Sequence, residues 1–208
     1  MDFRKGLLWA GIGALSISTL YVVGLFLFGM FDEFTLRVLL TTLTIGTYSF
    51  FSFATTGFKE KGWSHFEVVT NSGFIIAALG TLMTLNLIWS QNWEWNHGQA
   101  KTTLVLLIFS FALAHSSLLL KTLANHPAVQ GVVIGTIFFI TITAALLANL
   151  VLNARFDYSE GYFRFLITTT VLMVSGTIAT PLVKKLFSAE PQEPQPETPH
   201  PSSFQNPL

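Results

Sequence analysis

Cysteine is missing from all 208 residues. That excludes disulfides, thiolate metal sites and a cysteine nucleophile. Charge is scarce as well. Asp, Glu, Lys and Arg make up 11% of the chain, where an ordinary soluble domain carries about 25%. The 11 basic and 11 acidic side chains cancel, so net charge points to no nucleic-acid partner. Walker, HExxH and GxSxG patterns are absent, which leaves phosphate-loop, zinc-protease and hydrolase chemistry without support. Hydrophobic residues fill 51% of the chain, and the mean hydropathy is +0.57. A lipid bilayer is the solvent this composition suits.

The charges that remain frame long apolar runs. Between Arg37 and Lys59 lies a stretch with no charge at all. Its length of about 20 residues, at about 1.5 Å each in a helix, matches a hydrocarbon core about 30 Å thick. Lys101 to Lys121 and Arg164 to Lys184 repeat the arrangement. Six spans are predicted, at about 7–29, 35–57, 68–90, 102–122, 130–152 and 163–187. They should be helices, because backbone groups in lipid must be satisfied within their own segment. The first run follows Arg4 and Lys5 and imitates a signal peptide. It is longer than the roughly 7–15 residues of such an apolar region, so a retained first helix is expected. The fold class is therefore all-α, a six-span membrane domain over residues 1–187. Residues 188–208 hold six prolines among Glu, Gln and Ser, a composition that predicts a disordered tail.

A period of 63 to 64 residues runs through the chain. RVLLTT at 37–42 matches RFLITT at 164–169, with KTTLVL at 101–106 between them. Aromatic, acidic loops precede each copy: MFDEF, NWEWN and FDYSEGYF. Three similar hairpins around an approximate threefold axis would explain this. The plainer account is that basic and aromatic residues mark the ends of any spanning helix. Basic residues number seven on the side of the N-terminus and four on the other, so the positive-inside rule predicts cytoplasmic termini, in the plasma membrane. Trp89, Trp93, Trp95, Tyr158 and Tyr162 suit an interfacial belt.

Within the spans the chemistry is mild. No carboxylate falls inside them as drawn, which speaks against a proton pump. His115 is the one ionisable side chain, about 9 Å along the helix from Lys121. Ser52, Thr55, Thr56, Asn71, Ser72, Ser116, Thr177 and Thr180 fall at similar depth. With His115 they would line a small polar cavity facing the cytoplasm. The competing account is packing, since Ser, Thr and Asn commonly hydrogen-bond between membrane helices. Asn86 and Asn149 form a second, outer polar pair, as a clamp between helices or a selectivity group. No second strong ligand accompanies His115, so neither metal nor cofactor is expected, and no catalytic residue is assigned. Gly131 with Gly135, Gly73 with Ala77, Ala144 with Ala148, and Ser175 with Ala179 have the small-xxx-small spacing of close helix packing. Pro181 should bend or end helix six near Thr177. Two functions are expected: a non-catalytic membrane subunit with a protein partner, or a passive channel or transporter for a small neutral or weakly charged solute.

Overall fold

The computed structural model describes residues 3–28, 32–56, 67–90, 97–123, 126–153 and 159–188. Six helices account for nearly all of them: α1 (Phe3–Phe28), α2 (Glu33–Thr55), α3 (Glu67–Trp89), α4 (His97–Leu120), α5 (Pro127–Asn153) and α6 (Glu160–Ser188). Each contains a segment long and apolar enough to cross a membrane, and no strand occurs among the described residues. The protein is an all-α, six-helix multi-pass membrane protein. Residues 189–208, the expected tail, lie outside the described residues, as do Trp93, Trp95 and Tyr158.

Four helices, α1, α4, α5 and α6, begin about a turn before the expected boundary. On α2 and α6 the basic residue sits one turn inside, with a glutamate in the first turn: Glu33 before Arg37 and Glu160 before Arg164. Their guanidinium groups pair back at 2.5 and 2.7 Å. Carboxylates near a helix N-terminus are favoured by its dipole. Asp32 adds an N-cap, its Oδ1 accepting from the Thr35 N–H at 2.8 Å. Accepting that bond holds the Asp32 carboxyl below its ordinary value of 3.8. At the other end, α6 runs on through Pro181, which lies exposed inside the helix.

Consecutive helices pack against one another down the chain, and α2 also packs on α4. Cross-contacts set the directions. On α3, Gly73 meets Thr55 and Gly80 meets Tyr48, so α2 and α3 run antiparallel. Lys101 reaches Leu152, which makes α4 and α5 antiparallel. Lys121 reaches the end of α2, so α2 and α4 are parallel. The inner helices are α2, α4 and α5, while α1 and α6 expose most of their surface. The three hairpins thus do not occupy equivalent positions around one axis.

The core falls into two clusters on either side of α4. One joins Val129, Val133, Ile140 and Ala144 of α5 to Ala112 and Leu119 of α4. The other joins Tyr48, Phe51 and Ala54 of α2 to Ala77 of α3 and Ala114 of α4. Lipid gives little hydrophobic drive between helices, so close approach of backbones decides the packing. Gly73 and Gly80 supply it on α3. A Cβ at Gly73 would stand 2.6 Å from the Thr55 methyl, and one at Gly80 2.5 Å from the Tyr48 ring. On α5, by contrast, Gly131 and Gly135 face open space and pack on nothing among the described residues.

Candidate functional site

Of the side chains expected to form one polar cavity, the structure joins His115 to Thr177. His115 Nε2 lies 2.9 Å from Thr177 Oγ1, linking α4 to α6. Thr177 Oγ1 also lies 2.9 Å from the Met173 carbonyl, one turn back. A hydroxyl carries a single proton. With that proton on the Met173 carbonyl, His115 donates through Nε2 and keeps Nδ1 as an acceptor. Thr180 is fully buried and donates to the Gly176 carbonyl.

The α2 members gather elsewhere, around Lys121. Its ammonium donates to the Ala54 carbonyl at 2.6 Å and the Thr56 carbonyl at 2.7 Å. Ser52 contributes its carbonyl to Thr55 Oγ1 and to the Thr56 N–H. The last carbonyls of a helix have no partner within it, and Lys121, just past the end of α4, satisfies that of Ala54 in α2 and that of the C-cap residue Thr56. Lys101, at the other end of α4, does the same for α5 through the Leu152 carbonyl at 2.9 Å. Asn71 is exposed, and Ser72 and Ser116 are half-buried. Five of the nine residues therefore divide between a His115–Thr177 contact and a capped α2 terminus, while Thr180 bonds within its own helix.

Asn86 and Asn149 have separate partners. Asn86 accepts from Gln99 across α3 and α4 at 3.1 Å. Asn149 accepts from Asn153 on its own helix.

An aromatic row was not expected. Thr84 Oγ1 stands 3.5 Å from the Tyr48 hydroxyl, at the long limit of a hydrogen bond. Tyr48 meets Phe51 edge-on, Phe51 meets Phe111, and Phe111 lies 5.9 Å from His115. Two cavities flank this row, of about 410 and 430 Å³. The first lies among α2, α4, α5 and α6, and the second among α2, α3 and α4; Thr47 and Leu107 border both. Their walls are apolar apart from a few hydroxyls. Thr143 borders the first and Thr103 the second, and the hydroxyls of both are buried without a hydrogen-bond partner among the described residues. Ser110 and Ser117 are alike in this. Thr103, Ser110 and Ser117 recur every seven residues, which places them along one face of α4.

Three more residues link helices beyond what spacing revealed. Tyr162, expected in the interfacial belt, donates its hydroxyl to the Leu146 carbonyl at 2.5 Å. Trp89 donates Nε1 to Thr41 Oγ1 at 3.0 Å. His126 accepts the Ala128 N–H at the start of α5 and stacks on Phe187 at 4.0 Å. A signal existed for the lysines: a single basic residue at each end of an uncharged helix, well placed to snorkel along a neighbour. Among the described residues, no group of three or more His, Asp or Glu stands close enough to hold a metal ion. No family model, curated protein or solved structure matches this chain.

Proposed function

We propose that this protein is a non-catalytic subunit or scaffold of a membrane complex, in the plasma membrane with both termini in the cytoplasm. One observation carries the reading: the spaces between helices are walled by hydrocarbon. A solute passage needs a continuous polar lining or a charged ring. Here Phe51, Phe111, Ile140 and Met173 line the middle of the bundle. The outer faces of α1 and α6 are apolar, with Leu20 and Leu186 about 70% exposed. They are available to lipid or to the helices of a partner. The 63-residue period belongs to this proposal as an inherited pattern of hairpins. Its first and third copies share the Glu–Arg pair and the bond from Thr41 or Thr168 to the arginine's carbonyl.

Purification in mild detergent with quantitative mass spectrometry tests the proposal. A partner recovered in fixed stoichiometry, and lost when outward residues of α1 or α6 are changed to bulky polar ones, is the expected result. A solitary protein that carries small solutes into liposomes would overturn it.

A passive channel or transporter is the second reading, and the hydroxyl stripe of α4 favours it. Thr103, Ser110 and Ser117 extend over 14 residues, about 21 Å of helix, and end two residues beyond His115. Liposome flux of a small neutral solute, measured with His115→Ala and Ser110→Ala, separates this reading from the first.

A further inference from the structure

His126 immediately precedes α5. Its Nδ1 accepts the Ala128 N–H at 3.3 Å. Its ring stacks on Phe187 of α6, with centroids 4.0 Å apart and planes 17° from parallel. One imidazole thus caps the start of α5 and clasps it to the end of α6. Pro127, the first residue of α5, has no N–H. Ala128 therefore offers the first amide of the helix, and the amides of a helix's first turn have no acceptor within it. The next residue, Val129, is 1% exposed and belongs to the core cluster against which Val183 of α6 packs. What happens at the cap is felt in the packing of α5 on α6.

The cap depends on the charge of the ring. A neutral imidazole protonated on Nε2 keeps an acceptor at Nδ1, whereas an imidazolium donates through both nitrogens and accepts through neither. Histidine is the side chain that makes this change between about pH 5 and 8. Protonation would aim a second donor at the Ala128 N–H.

The surroundings oppose the added charge as well. It would stand at a helix N-terminus, the positive end of the dipole. The helices packed on α5 are α4 and α6. α6 brings Lys184 and Lys185 to this end, and Lys121 follows the end of α4, with His115 further back along that helix. Among the described residues neither helix brings a carboxylate here, since α4 has none and Glu160 begins α6 at its far end. Stacking on Phe187 favours an imidazolium, but it acts alone.

We propose that His126 is a pH-sensitive latch on the side of the bundle assigned to the cytoplasm. Neutral, it caps α5 against the end of α6. Protonated, it releases the Ala128 N–H, and the first turn of α5 frays. Partner recovery plays no part in the measurement below, so the latch and the subunit reading can fail separately.

The full chain, labelled with nitrogen-15 in phosphatidylcholine nanodiscs, is tested by amide exchange at pH 7.5 and 5.5. Protection is the exchange rate relative to an unstructured peptide at the same pH. At Ala128 it should fall about threefold to tenfold at the lower pH, the size of one lost N-cap. His126→Asn keeps a capping acceptor that does not titrate, and its protection should be equal at both pH values. His126→Ala should show the low value at both. Constant protection in the unaltered protein overturns the latch. So does an equal fall in His126→Asn.

Discussion

At the scale of single residues, the polar side chains of this protein mostly serve the backbone. Threonines at 41, 44, 81, 84, 136, 168 and 180 each donate to a carbonyl one turn back. In lipid such a bond satisfies a hydroxyl without help from another helix. Lys121 is the exception with the largest reach, since it satisfies two carbonyls of a different helix. Lys121→Met should lower stability in detergent by about 1.5–3 kcal/mol, the range for charged hydrogen bonds. Lys121→Arg should recover part of the loss, and thermal unfolding followed by circular dichroism measures both. Asp32 offers a pH test. Its folded carboxyl is held below 3.8, so the cap it provides is fully present above that value and is lost as pH falls through the lower, folded one. The protection of the Thr35 amide, its exchange rate relative to an unstructured peptide at the same pH, should therefore be higher at pH 5 than in stronger acid. In Asp32→Asn, which caps without a charge, that change in protection should disappear.

At the scale of elements, glycine position separates faces that pack inside the chain from faces that do not. Gly176 of α6 lies against Thr136 of α5, where an added Cβ would overlap the threonine hydroxyl. Gly135 of α5 has open space beside it. Gly176→Ala should accordingly destabilise the α5–α6 hairpin, by about 1–3 kcal/mol as in other overpacked positions. Gly135→Ala should be neutral, or up to about 1 kcal/mol stabilising, through helix propensity alone. Thermal unfolding of the two variants in the same detergent gives the comparison. Spacing singles out Gly135, with Gly131, and passes over Gly176, which stands beside the Ser175–Ala179 pair. Only the neighbouring helix shows which of the two is packed.

At the scale of the whole molecule, α4 is the hub. It packs on α2, α3 and α5, touches α6 through His115, and caps neighbours at both ends through Lys101 and Lys121. Removing either lysine frees the end of a neighbouring helix, so damage at one position is felt across the bundle. Orientation is tested at this scale, and the absence of cysteine makes the test clean. Single cysteines at Lys5 and Lys185 should resist a membrane-impermeant maleimide added to intact cells and react after lysis. A cysteine at Ser159 should react from outside. The reverse pattern would invert the topology assigned by the basic residues.

Six spans, their approximate ends and the apolar character of the bundle were legible in the chain. They follow from one constraint, that an apolar run of bilayer length must satisfy its own backbone as a helix. Which helices lie inside was not legible, because lipid-facing and helix-facing residues are equally apolar. Nothing in the hydropathy of α5 distinguishes its buried Val133 from its exposed Ile134. The polar residues showed the same limit. Depth along a helix placed His115, Thr177, Ser52 and Thr55 together, but depth says nothing about rotation around the axis. The tertiary structure turned His115 toward Thr177 and gave the end of α2 to Lys121. It also left the Thr143 hydroxyl buried without a hydrogen-bond partner, because rotation is decided by which backbones approach closely enough to pack.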